Sequence, residues 1–249
     1  MKEQTMPIIE TAGATDVGLR RSNNEDAFVI MADKRVVSVA DGMGGAAAGE
    51  VASNIFVTAV QDFFGAACLA TEDAVYQLVK QTFNAANNRI IEHVIQNPDN
   101  AGMGCTGELL AFVDGRYIIG HVGDSRIYLF RNGELRQLTK DHSLVQMQLD
   151  GGAITAEEAR VHPKRNIVLR VVGMELDFSL DILRGNTFVH DLFLLCSDGL
   201  TDMIEDTIIS AILLSSLSLD HKAEQLIEAA KKAGGKDNIT VVLCKINET

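Results

Sequence analysis

The sequence predicts an α+β fold in which mainly antiparallel β-sheets are flanked by helices, and three observations carry that prediction. Short apolar runs between 106 and 138 are separated by Asp114-Gly115 and Asn132-Gly133, dipeptides that close tight hairpins. Two long helical patterns, 46–64 and 71–95, follow one another directly instead of each serving one strand. Late strand-like runs at 188–196 and 239–246 bracket further helical sequence, so the alternation of a doubly wound parallel sheet is missing.

Taken in order, the first hairpin joins 27–31 to 36–40 across Asp33-Lys34. The helix at 71–95 places Val75, Val79, Thr82, Ala86 and Ile90 on one face. Glu72 and Asp73 stand in its first turn, where the helix dipole favours negative charge. The runs 109–113, 117–122, 127–130 and 135–138 read as one antiparallel meander, with Gly123-Asp124-Ser125 as its middle connection. The apolar run 208–214 reads as a buried helix. A last helix, 221–233, starts after a cap at Asp220 and stops at Gly234-Gly235. Three prolines, no Ser/Pro-rich linker and no fixed-period repeat lead us to expect one domain over 1–249.

Composition narrows the function. At 249 residues and 47% hydrophobic the chain can bury a substantial core. Asp and Glu number 34 against 22 Lys and Arg, a net charge of −12, which speaks against a nucleic-acid or anionic-membrane binder. The apolar patch at Ile8-Ile9 is too short for a signal-peptide core, and no apolar run approaches a membrane span. Cys68, Cys105, Cys196 and Cys244 form no C-x-x-C pair, and the six histidines show no zinc-like spacing. The expectation is a soluble cytoplasmic protein.

Three apolar runs lead into an aspartate: 36–40 into Asp41-Gly42, 117–122 into Gly123-Asp124-Ser125, and 192–196 into Ser197-Asp198-Gly199. Asp237 precedes the last strand, and Glu25-Asp26 precedes the first clear one. Asp-Gly is ordinarily a turn, and Asp114-Gly115 behaves as one, since a strand follows at once. Asp41-Gly42 leads instead into Met43-Gly44-Gly45 and a helix, and Asp198-Gly199 into Leu200-Thr201-Asp202 and helix-like sequence. A carboxylate at a buried strand end is costly unless it is paired or metal-bound. If these ends converge, a carboxylate cluster without His or Cys selects Mg²⁺ or Mn²⁺ over Zn²⁺. Mutual repulsion calls for protons or for more than one ion. Two ions sharing a carboxylate would generate a hydroxide for in-line attack at phosphorus.

The motifs together resemble the metal-dependent serine/threonine protein phosphatases, the PPM or type 2C family, of the compact bacterial kind. The matching strings are Asp16-Val17-Gly18 through Arg21 to Asn24-Glu25-Asp26, Asp41-Gly42-Met43-Gly44-Gly45 with Gly49-Glu50, and Gly104-Cys105-Thr106. They continue with His121-Val122-Gly123-Asp124-Ser125-Arg126, Leu138-Thr139-Lys140-Asp141-His142-Ser143 and His162-Pro163-Lys164-Arg165-Asn166. Ser197-Asp198-Gly199-Leu200 and Asp237-Asn238-Ile239-Thr240 complete the set, in family order from about residue 11 to 246.

The resemblance implies a four-layer αββα sandwich and a phosphatase of phosphoserine and phosphothreonine in proteins, opposing a cognate bacterial-type kinase. Asp41 would bridge two Mn²⁺ or Mg²⁺ ions, with the Gly42 carbonyl beside it on the first. Asp198 and Asp237 would ligate the second, and Glu25 and Asp26 would act through water. Asp124 and Asp202 match the positions of a weaker third ion. Arg21 would grip the substrate phosphate, a role suited to a bidentate guanidinium. The segment 151–166, within about 143–170, matches a flap, with His162 as a hinge or substrate-edge residue. Partners implied are phosphorylated proteins and a kinase, with the chain a monomer.

Two departures stand out. Family members carry a histidine after the first Asp-Gly or after the following Gly-Gly; this chain has Met43 and Ala46 there, so no general acid is assigned. Cys105 replaces a usual threonine, a packing change or a redox-sensitive position. A phosphoprotein-binding pseudophosphatase is the alternative, although such proteins usually lose a metal aspartate and Asp41, Asp198 and Asp237 are all present. A phosphotransferase with an aspartyl nucleophile would need a covalent phosphoenzyme, against the resemblance.

Overall fold

The computed structural model describes residues 8–44, 48–67, 71–176 and 179–248. The chain opens with β1 (Ile8–Asp16), β2 (Asp26–Met31) and β3 (Val36–Met43), followed by α1 (Ala48–Ala66) and α2 (Glu72–Gln96). The middle of the chain supplies β4 (Gly104–Cys105), β5 (Gly107–Val113), β6 (Arg116–Val122), β7 (Arg126–Arg131) and β8 (Glu134–Gln137). Two short helices come next, α3 (Leu144–Asp150) and α4 (Ala156–Val161). The chain closes with β9 (Asp181–Asn186), β10 (Leu192–Cys196), α5 (Asp198–Thr201), α6 (Asp206–Leu214), α7 (Leu219–Lys232) and β11 (Ile239–Asn247).

One antiparallel sheet runs β1-β11-β10-β7-β8 and the other β2-β3-β5-β6-β9, with β4 paired to the end of β3. Alternation within the strands makes the layers. Leu109 and Ala111 face α1 and α2, where they meet Phe56, Phe83 and Ile90. Leu110 and Phe112 face the other sheet, among Leu129, Phe193, Leu195 and Val242. Leu194 and Leu243 pack outward under α6 and α7, against Ile209 and Leu226. Strands buried on both faces need near-continuous apolar sequence, which β5, β6 and β10 have. The result is the four-layer αββα sandwich.

The expected single meander is two hairpins in different sheets. Tight turns close β5–β6 and β7–β8, with Asp114, Gly115, Asn132 and Gly133 all at positive φ. Val122 does not turn back onto β7. At Gly123 (φ +118°) the chain crosses to the second sheet, and a side chain there would run into Thr106. That crossing carries Asp124. The late strand starts at Leu192, not at 188, and α7 is capped by the Ser218 hydroxyl, which accepts from the His221 N–H, and not by Asp220. Edge strands β1 and β9 carry no strong apolar alternation in the sequence and appear only in the structure. Gly45, Ala46 and Cys68 lie outside the described residues.

Candidate metal centre and active site

Both sheets deliver acids to one rim of the sandwich. Asp41 lies near the end of β3, Asp124 on the β6–β7 crossing, Asp198 just after β10 and Asp237 just before β11. A cleft of about 210 Å³ is lined by Arg21, Glu25, Asp41, Gly42, Asp124, Asp198 and Asp237, with Met43, Thr106 and Asn166. A neighbouring cavity of about 180 Å³ shares Asp124 and Asp198, adds Asp202, and is roofed by α3, α4 and Arg165. The expected site residues are therefore brought together, with one in a different position from the rest. Asp26 lies behind the cleft, opposite Asp41 in the β2–β3 register. The larger groove between α1 and α2, about 710 Å³, contains none of these aspartates.

The backbone around each aspartate is fixed by hydrogen bonds. The Asp41 N–H donates to the Thr106 hydroxyl (2.9 Å) and the Asp41 carbonyl accepts from the Thr106 N–H (2.8 Å). Thr106 in turn meets the Ser125 hydroxyl at 2.8 Å, beside Asp124. Gly42 donates to the Glu25 carbonyl, and a Cβ on Gly42 would stand 2.1 Å from the Gly49 carbonyl, so no other residue fits between the loop and α1. The Asn238 amide donates to the carbonyls of Val17 (3.0 Å) and Asn23 (2.9 Å) and accepts from the Glu25 N–H (2.8 Å). That one side chain holds the loop bearing Arg21 and Glu25 against Asp237. Gly199 packs so closely on the Asn238 carbonyl that a Cβ would lie 1.9 Å away. The Ser197 hydroxyl donates to Asp26 Oδ2 (2.7 Å) and accepts from the Thr240 N–H (3.0 Å).

Charge in this frame is only partly compensated. Burial, and then the neighbouring aspartates, push the Asp41 and Asp198 carboxyls well above the usual range. Burial raises Asp124 to about 7, with Asp141 adding to the effect, and raises Asp26 to about 6. Two buried oxygens, Asp26 Oδ1 and Asp198 Oδ1, have no hydrogen-bond partner. Two cations reach the acids: Arg21 Nη2 donates to Asp237 Oδ2 at 2.7 Å, and Arg165 meets Asp202 at 3.2 Å. Among the described residues, no group of three or more His, Cys, Asp or Glu is gathered to hold a metal ion by itself. An all-oxygen donor set with unpaired buried oxygens fits Mg²⁺ or Mn²⁺, because small hard cations take one or two carboxylates and keep several waters.

Sequence reasoning missed the holders. Thr106, Ser125, Ser197 and Asn238 stand inside the quoted motifs, but their hydroxyl and amide roles depend on contacts across long sequence separations. Cys105 is buried, its thiol raised by burial and directed at the Ala52 carbonyl (3.6 Å), which is packing and not redox exposure. His162 caps α4 on the exposed flap and its Nδ1 accepts from the Lys164 N–H at 3.1 Å. It lines neither cavity.

A family model for protein phosphatase 2C matches residues 19–240. The chain belongs to the protein phosphatase 2C family. It is 40% identical over 245 residues to the serine/threonine protein phosphatase PstP of Mycobacterium tuberculosis, covering 96% of this chain and 45% of PstP. It thus spans less than half the length of that relative. It is 40% identical over 250 residues to the protein phosphatase PhpP of Streptococcus pneumoniae, covering 96% of this chain and 98% of PhpP. The crystal structure of the PstP catalytic domain in complex with 2 manganese ions superposes with a TM-score of 0.89 at 36% identity, over 98% of this chain and 100% of that one. Family membership agrees with the αββα layering, and no helix among the described residues is long and apolar enough to cross a membrane.

Proposed function

We propose that this chain is a metal-dependent protein-serine/threonine phosphatase, built as one domain whose segment 143–170 forms a flap over the cleft. The observation that carries the reading is the convergence of Asp41, Asp124, Asp198 and Asp237 on one cleft beside Arg21, with protein oxygens left unpaired. So many carboxylates in one place repel one another and gain nothing for the fold, which marks a site kept for chemistry.

Asp41, with the Gly42 carbonyl, and Asp198 with Asp237 are the residues to hold two ions, Mn²⁺ or Mg²⁺. Asp124 and Asp202 would hold a weaker third, and Glu25 and Asp26 would act through water. When bound, such ions supply a nucleophile from water at neutral pH and neutralise charge on the phosphoryl oxygens. The chain's own contribution is position. Thr106 and Asn238 fix the backbone on either side of the cleft. Asp26 sets Asp41 from behind. Arg21 is half-exposed and can exchange its contact with Asp237 for the oxygens of a phosphate, which a guanidinium binds in bidentate fashion. Among the described residues that line the cleft there is no histidine, so leaving-group protonation is not given to an imidazole.

The substrates are phosphoserine- and phosphothreonine-proteins, with the enzyme acting as a monomer against a serine/threonine kinase; relatives such as PstP are named as serine/threonine protein phosphatases. The test is hydrolysis of a phosphothreonine peptide with and without Mn²⁺. Turnover is expected only with the ion, and Asp41→Asn or Asp237→Asn should lower it by roughly 10³-fold. Turnover without metal, or full activity in those variants, overturns the reading. A tightly held phosphopeptide that is never cleaved would identify the pseudophosphatase instead.

A further inference from the structure

His142, in the segment that leads from β8 into the flap, is buried (8% exposed), and it takes no part in the ligand set above. Its contacts run in two directions. Toward the metal centre, its backbone N–H donates to the Gly123 carbonyl (2.7 Å), and its Nδ1 accepts from the Gly123 N–H (3.1 Å). This reciprocal pair grips both polar groups of the residue before Asp124. Gly123 sits at φ +118° and has no side chain to anchor it, so its peptide groups are what can hold the turn.

Toward the flap, the His142 carbonyl accepts from the Leu169 N–H (2.7 Å) on the returning leg. Because Nδ1 is the acceptor, Nε2 carries the proton and donates to Asp181 Oδ2 (3.2 Å); Arg170 Nη1 donates to the other Asp181 oxygen (3.2 Å) and stands 3.1 Å from Nε2 as a second donor, so the carboxylate serves both. The next residue, Ser143, bridges Val168, and the Leu144 N–H donates to the Ile167 carbonyl (2.9 Å), so the two legs of the flap are zipped from His142 outward. Behind it stands His121, ring centroid 4.5 Å away, itself tied to the buried Glu108 and to the Lys140 carbonyl. Burial holds His142 neutral, its pKa lowered to about 4, which keeps Nδ1 free to accept. Packing alone would not call for a histidine here; both ring nitrogens face polar partners.

We propose that His142 is a positioning residue of the metal centre: it ties the Gly123–Asp124 turn to the root of the flap, so that the Asp124 carboxylate and the flap are placed as one unit. The inference rests on the reading of Asp124 as a metal carboxylate. Outer partners of this kind typically change metal affinity or activity by about 10–100-fold when removed.

The test is Mn²⁺ binding by calorimetry, with amide hydrogen exchange over 143–169 measured with and without Mn²⁺. Asp124→Asn should abolish the weakest Mn²⁺ step, and His142→Ala should weaken the same step by about 10–100-fold. The double variant should match Asp124→Asn alone, its tighter Mn²⁺ steps unchanged. Mn²⁺ should slow exchange in the flap of the unaltered protein and not in His142→Ala. His142→Asn places an amide oxygen near the Nδ1 position and should restore most of the affinity; His142→Gln, whose oxygen reaches past Gly123, should not. If Asp124→Asn leaves the isotherm unchanged, the reading of Asp124 fails. If Asp124→Asn acts but His142→Ala leaves that step intact, or the double variant also loses the tighter steps that Asp124→Asn keeps, the role of His142 fails while Asp124 stands. Should His142→Ala not fold, the Asn and Gln variants decide: equal affinities overturn the proposal.

Discussion

Asp26 and Asp41 stand directly opposite one another across the β2–β3 ladder, two carboxylates paired where a sheet ordinarily avoids like charges. One is held by the Ser197 hydroxyl and the other opens on the cleft. The pair is therefore a source of instability in the metal-free fold, held in place by the neighbouring strands. Asp41→Asn removes one charge and leaves an amide able to donate to Asp26. Without metal, that variant should be more stable than the parent by about 1–2 kcal/mol, a rise of roughly 2–8 °C in Tm. It should lose roughly 10³-fold in Mn²⁺-dependent hydrolysis. Thermal unfolding in chelator, set beside peptide turnover, checks both halves.

The same repulsion fixes how stability varies with pH. Asp26 titrates at about 6 and Asp124 at about 7, both raised first by burial, and Asp41 and Asp198 are raised as well. A carboxyl whose folded pKa exceeds its unfolded value binds its proton more tightly in the native state, so its contribution is present at low pH and lost as pH rises through the folded pKa. Metal-free protein should therefore be more stable near pH 5 than near pH 8, with the loss concentrated at about 4–7. Metal ions require the deprotonated groups, so the stabilisation by Mn²⁺ should grow over that window. Melting curves at pH 5 and 8, with Mn²⁺ and with chelator, should show opposite pH trends in the ion's contribution and in the apoprotein.

Asn238 concentrates three long-range hydrogen bonds in one amide. Asn238→Ala leaves the Val17 and Asn23 carbonyls and the Glu25 N–H without their partner. A cost of about 2–4 kcal/mol is expected if they stay dry. Because the loop so released carries Glu25 and Arg21, the Mn²⁺ concentration for half-maximal activity should also rise, by about 10–100-fold. Asn238→Asp should be no better, since a carboxylate cannot donate to two carbonyls. Unchanged Mn²⁺ dependence in a folded Asn238→Ala protein would reject this clasp.

What the sequence reveals and what it hides divide along physical lines. The aspartates are legible because each follows a strand of apolar residues and leads into something other than a hairpin, a local contrast that Asp114-Gly115 makes visible. The crossing at Gly123 is not legible, because Gly-Asp-Ser is equally compatible with a turn within one sheet. The choice is made by the packing of Gly123 on Thr106, a residue met only in the fold. Edge strands β1 and β9 escape pattern reading because much of their surface is in solvent and half their alternation is lost. His142 and Asn238 sit within recognised strings, yet their partners lie on other elements.

Arg21 offers the last test, because its present partner and its expected substrate compete for the same guanidinium. Its Nη2 lies 2.7 Å from Asp237 Oδ2, and the side chain is 49% exposed. An ion pair so open to solvent contributes little to stability, about 0–1 kcal/mol at most. Arg21→Lys should therefore melt within about 0.5 kcal/mol of the parent. Its effect belongs to the substrate: lysine keeps the charge but lacks the planar fork that matches two phosphate oxygens, so KM for a phosphothreonine peptide should rise by about tenfold or more. Arg21→Ala, which loses the charge too, should raise KM further while the Mn²⁺ requirement stays within about threefold, since Arg21 supplies no ligand. A large loss of Mn²⁺ affinity with KM unchanged would instead make Arg21 a structural partner of Asp237. Steady-state kinetics of both variants across Mn²⁺ concentrations separates the two roles.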